Sequence, residues 1–148
     1  MTSIRMVTAY VLLCPLVYIG KELAVSDSSA WWTHFTYMFG HASLTHYLMN
    51  GMGWAFMRPV ITPGRTLTAI VIAALLPATT IPTLGWSVVL YYYMGLCLGS
   101  MPTGAKIRML LLVCAGFFIP WIAAQHHALM LFFGWLIRKV ERRWNQTV

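Results

Sequence analysis

One serine and a set of histidines are the residues best suited to chemistry in this sequence. Ser87 follows Gly85 and Trp86 where Pro82 and Gly85 break the chain, so it stands at the start of a helix whose first N–H groups lack intrahelical acceptors. Those groups, with the helix dipole, favour a developing negative charge. A serine nucleophile needs a base that is neutral near pH 7, and a buried histidine supplies one. Of the adjacent pair His126 and His127, the second is the better candidate. Gly134 lies seven residues beyond it on the same helical face and allows a neighbouring helix to come close. Gly95 and Gly99 offer a matching small-residue surface on the helix that begins at Ser87, and Tyr91, one turn below Ser87, is placed to stack on the imidazole.

His46 and Asn50, four residues apart, share a face and bring two side-chain donors that would complete an oxyanion site with the Ser87 N–H. Each of these residues also has a purely structural reading: Ser87 as a helix cap, Tyr91 as core, His46 and Asn50 as hydrogen bonds between helices. The only acids are Glu22, Asp27 and Glu141, none of them within an apolar block. The expectation is therefore a serine–histidine dyad without a third member. No cofactor is implied. A metal site is disfavoured, because His41 and His46 are five apart and His126 and His127 point in different directions on a helix.

The elements that must position these side chains are apolar. Of 148 residues 59% are hydrophobic and 9% charged, and the mean hydropathy is +0.71, values far from those of ordinary water-soluble domains. The apolar residues fall into six blocks, roughly 6 to 20, 38 to 57, 66 to 82, 86 to 101, 107 to 122 and 125 to 138. Read as helices they predict an all-α integral membrane protein, a single domain over residues 1 to 148, with six short transmembrane helices. Cys14, Cys97 and Cys114 all lie in these blocks and read as packing residues. The aromatic stretch at residues 21 to 37, with Trp31, Trp32 and Tyr37, reads as an interfacial element or anchor.

A net charge of +7 raises the question of nucleic acid, but the positions of the charges favour membrane topology. Nine of the ten basic residues fall before the first block, after the second, before the fifth or in the tail, and only Lys21 falls in a loop of the other parity. The positive-inside rule then puts both termini in the cytoplasm and the Ser87 end on the extracytoplasmic side. The first block can also imitate a signal peptide, although the charge parity works best if it is retained.

The motifs together resemble those of the rhomboid family of intramembrane serine proteases. His41 to Asn50 looks like that family's second-helix motif, Gly85-Trp86-Ser87 with Tyr91 and Gly95 like its fourth-helix motif, and His127 with Gly134 like its last-helix motif. Trp32 and Phe35-Thr36 are similar to its pre-helix segment. Val88 and Met130 stand where the family usually has glycine, and Thr33 where it often has arginine. The resemblance implies a six-helix rhomboid-like bundle in a membrane, in a bacterium the inner membrane, contacting lipids and cleaving transmembrane segments of single-pass proteins. It implies Ser87 as nucleophile, His127 as base, and His46, Asn50 and the Ser87 N–H as oxyanion donors. His41, Gly85, Tyr91 and Gly134 would support them. A catalytically silent relative that binds client helices, and a small transporter using the histidines, remain alternatives.

Overall fold

The computed structural model describes residues 3–14, 23–119 and 122–147. Among these residues the chain forms seven α-helices: α1 (Ser3–Leu13), the single turn α2 (Thr33–Thr36), α3 (Leu44–Phe56), α4 (Pro63–Leu75), α5 (Ser87–Cys97), α6 (Thr103–Gly116) and α7 (Ala124–Thr147). Local chemistry sets several of these limits. Ser43, in extended backbone, accepts the His46 N–H and starts α3. Thr62 accepts the Arg65 N–H and starts α4, with Pro63 at the first helical position, where its missing N–H costs nothing. Short 3-10 turns at Arg58–Val60 and Leu98–Ser100 tighten the chain after α3 and α5.

α5 is the central element. Val88, Val89, Leu90, Tyr92, Tyr93, Gly95 and Leu96 are buried, and only the face carrying Ser87, Tyr91 and Met94 is partly exposed, so most of this apolar helix is covered. α7 runs beside it in the same direction. A Cβ on Gly95 would overlap the Leu131 carbonyl oxygen, and one on Gly134 would overlap the Tyr92 carbonyl oxygen. The two backbones are thus in direct contact at a pair of glycines that no other residue could replace without parting them. Val88 and Met130 are fully buried at positions where the family pattern has glycine, so their side chains fill the core without preventing this approach.

The chain ahead of α5 is clamped from the other side. Val25 and Thr83 exchange backbone hydrogen bonds of 3.0 and 2.8 Å, and the Tyr37 hydroxyl donates to the Ala73 carbonyl in α4 at 3.1 Å. The aromatic stretch is therefore partly a strap on the bundle: Tyr37 is buried, whereas Trp31, Trp32 and Phe35 are exposed. Lys21 and Glu22 lie outside the described residues.

The expected transmembrane architecture is not what the helices provide. Among the described residues no helix is long and apolar enough to cross a membrane. α1, α3, α4, α5 and α6 have 11 to 14 residues, about 21 Å at most at 1.5 Å per residue, against a hydrocarbon core of about 30 Å. α7 has 24 residues, but its second half carries Arg138, Lys139, Glu141, Arg142 and Arg143. The apolar blocks overstated the helices because prolines and glycines cut them: the block at 66 to 82 is helical only to Leu75, and the block at 86 to 101 ends its α-helix at Cys97. The first block continues beyond Cys14 into residues outside those described. The six-span membrane bundle, the cytoplasmic termini, the inner-membrane location and the extracytoplasmic opening of the site are all corrected by this finding; the all-helical class stands.

The apolar excess goes in part to the surface. Leu44, Leu48, Met52 and Phe56 form an exposed stripe at four-residue spacing on α3, and Ile107, Leu110, Leu111 and Leu112 are exposed on α6. Cys14 is buried and Cys97 half-buried, but Cys114 is exposed, which corrects its reading as a packing residue.

Candidate functional site

Gly85 has φ of 112°, a backbone conformation that favours glycine. Its N–H donates to the Tyr37 carbonyl at 2.9 Å, which ties the turn to the strap. The turn delivers Ser87 as the first residue of α5. Trp86, at the cap position, provides no side-chain acceptor for the first turn, so the Ser87 N–H has no intrahelical partner and faces the same end as its side chain.

The parallel contact of α5 and α7 sets Ser87 against His127. The serine Oγ lies 3.0 Å from His127 Nε2, hydrogen-bonding distance for a hydroxyl donating to a neutral imidazole. Tyr91 stacks on the histidine with ring centroids 4.2 Å apart and planes 11° from parallel. Burial, together with the neighbouring His126 and His46, pushes the His127 pKa down from 6.5 to about 4, which keeps the ring neutral near pH 7.

α3 brings the other pair to the same turn. A Cβ built on Gly85 would lie 2.6 Å from His46 Cε1, 2.8 Å from His46 Nε2 and 3.2 Å from Asn50 Nδ2, so both side chains converge on the backbone two residues ahead of Ser87. Asn50 is 5% exposed, and its Nδ2 has no hydrogen-bond partner. An unpaired buried amide donor is uncommon and asks for an explanation. The His46 Nδ1 faces the Ala42 N–H at 3.5 Å, an arrangement that leaves Nε2 as the protonated nitrogen. Burial lowers its pKa. Two side-chain donors thus converge on the turn that leads into Ser87, the residue whose N–H opens the helix.

His41 does not belong to α3; it precedes the Ser43 cap. Fully buried, it bonds through Nε2 to the Tyr10 hydroxyl at 3.0 Å, and that hydroxyl donates to the Tyr47 carbonyl at 2.8 Å. Its ring meets His46 edge-on at 5.2 Å. Tyr10 therefore anchors the histidine that packs on His46, a role marked in the sequence only by one polar atom in an apolar run. His126 turns away from Ser87: it is 2% exposed, with Nδ1 3.4 Å from the Thr83 hydroxyl and its ring against Tyr37.

No acid completes a triad among the described residues. The Asp27 N–H bonds to the Thr79 carbonyl in the strap, and Glu141 is held by Arg65 and Arg138. Nor are three His, Cys, Asp or Glu side chains grouped to hold a metal ion among the described residues. A cavity of about 120 Å³ opens beside the first turn of α7, lined in part by Thr79, Ile81, Ala124 and Gln125, with neither Ser87 nor His127 in its wall.

No family places the chain. No protein-family model matches the sequence, and no curated protein matches it. What the protein does has to be argued from Ser87, His127 and the donors around them.

Proposed function

We propose that this protein is a serine endopeptidase of the rhomboid type, acting through a Ser87–His127 dyad. The observation that carries the reading is the 3.0 Å contact between Ser87 Oγ and His127 Nε2, with Tyr91 stacked on the base. In the first step Ser87 Oγ attacks the peptide carbonyl carbon while its proton passes to His127 Nε2. The carbonyl oxygen becomes an oxyanion within reach of the Ser87 N–H, Asn50 Nδ2 and His46 Nε2–H. Collapse of the tetrahedral intermediate breaks the C–N bond, and His127 returns the proton to the departing amine. Water then repeats the sequence on the acyl-enzyme, giving a carboxylic acid and free Ser87.

The resemblance and the surface of α3 support a reading of the substrate class. The helix that carries His46 and Asn50 presents an apolar stripe outward, which suits apolar segments of other proteins, such as the transmembrane helices of single-pass proteins, unwound locally at small residues. Labelling with a fluorophosphonate probe is the test. A single adduct on Ser87, located by mass spectrometry and absent in Ser87→Ala, is the expected result. A folded protein that takes no label would sink the peptidase reading and favour a chain that binds apolar helices without cutting them.

A further inference from the structure

At the end of α5 away from Ser87, the chain gathers positive charge. α4 begins there, the second half of α7 ends there, and Arg58, Arg65, Lys106, Arg108, Arg138 and Arg142 lie on the elements that meet at this end. Glu141 is the one acid among them, and it accepts from Arg65 at 3.1 and 2.8 Å and from Arg138 at 3.0 Å. One carboxylate thus faces two guanidiniums, and the Arg142 guanidinium approaches the backbone nearby at Gly99. The local balance is positive, which concentrates anions at this surface.

A cleft of about 440 Å³ opens at the same place, with Thr62, Gly64, Arg65, Tyr92 and Glu141 in its wall. The wall also holds Thr68, whose hydroxyl donates to the Gly64 carbonyl at 3.0 Å, and beside it and the Arg65–Glu141 pair three groups have hydrogens to give. The Thr62 oxygen accepts the Arg65 N–H, which leaves its own hydrogen to give. Gly64, in the first turn of the 13-residue α4, has an N–H without an intrahelical acceptor, and nothing lies within 4 Å of the position a Cβ would take there. Independently of the helix end, Tyr92 is fully buried, yet its hydroxyl has no hydrogen-bond partner. That hydroxyl feels both Glu141 and Arg65, the charged pair on the cleft wall. A buried hydroxyl without a partner is costly unless something else accepts its hydrogen.

We propose that this cleft binds a phosphate group, free or carried on a lipid headgroup, with the Gly64 N–H, the Thr62 hydroxyl and the Tyr92 hydroxyl as donors and Arg65 and Arg138 as countercharges. The group must be rich in acceptors and carry negative charge, because the cleft offers donors at the positive end of a helix. The site is separate from the Ser87–His127 dyad, and it stands or falls independently of the peptidase reading.

Titration calorimetry at constant ionic strength tests it with two probes on the whole chain: inorganic phosphate and a water-soluble short-chain phosphatidylglycerol. Saturable binding of phosphate, weakened roughly tenfold by Tyr92→Phe, is expected, since a hydrogen bond to a charged group is lost while the ring remains. Arg138→Gln, at a half-exposed position, should weaken it as well and keeps the test open if Tyr92→Phe does not fold. Fluorophosphonate labelling of Ser87 should be the same in both variants. Binding of the lipid alone, with the same dependence on Tyr92 or Arg138, would identify the headgroup as the source. Absence of saturable binding by either probe, or binding indifferent to both substitutions, would overturn the proposal.

Discussion

At the scale of single residues, the proposed chemistry depends on the protonation of one imidazole. His127 has its pKa lowered to about 4 by burial and by the neighbouring His126 and His46. The neutral, proton-accepting form therefore dominates above that value, and labelling of Ser87 should hold from neutral pH down to about 5 and fall as the pH drops through about 4. A rate profile whose acid limb sits near 6.5 would contradict the burial of this base. The same shift bears on stability. A histidine whose folded pKa lies below its unfolded one favours the native state most above about 6.5, and that contribution is lost as the pH falls toward 4. His41, also lowered to about 4 by burial and by His46, adds to this acid sensitivity. Tyr91→Leu, which removes the stacked ring, should slow labelling by up to about tenfold, because such contacts are worth about 0.5–1.5 kcal/mol. Tyr91→Phe should label at nearly the native rate.

Elements matter through the crossing of α5 and α7. Gly95→Ala or Gly134→Ala would drive a methyl group into the facing backbone, and backbone cannot rotate aside as a side chain can. Overpacking of this kind costs about 1–3 kcal/mol or more. Both substitutions should lower the melting temperature and separate Ser87 from His127, so labelling should fall further than the loss of folded protein explains. Circular dichroism and labelling on the same samples distinguish the two effects. Native-like labelling in Gly134→Ala would mean that the dyad tolerates a wider helix separation than the 3.0 Å contact implies.

The whole molecule is organised with the dyad at one end and the charged clasp at the other. The clasp of Arg65, Glu141 and Arg138 joins the start of α4 to α7, and Arg65 also donates to the Val60 carbonyl at 3.1 Å. Its two acidic contacts are only partly exposed, so Glu141→Gln should destabilise the fold by about 1–2 kcal/mol while leaving the chemistry at Ser87 unchanged in the folded fraction. Thermal unfolding at low and high salt would check this, since screening reduces such a pair. The Arg65 partner holds the Glu141 carboxyl below its ordinary range. This contribution is present at neutral pH and disappears as acid protonates Glu141 through that lowered value.

The sequence by itself determined the residue types and their local periodicity. Ser87 at a helix start after Gly85, His46 and Asn50 on one face, and Gly95 and Gly134 as close-approach positions were all legible, because each follows from spacing along a single helix or from the backbone freedom of one glycine. It also carried the segregation of basic residues. Helix length was not legible, since hydropathy runs on through prolines and 3-10 turns that end hydrogen bonding; the apolar blocks therefore passed for spans that helices of 11 to 14 residues do not make. Only the tertiary structure decided the 3.0 Å contact between His127 and Ser87, that Tyr10 of α1 holds His41, and that Asn50 and Tyr92 are buried with unpaired hydrogens. Those facts depend on how helices distant in the chain rotate about their axes when packed, and no local pattern encodes that rotation.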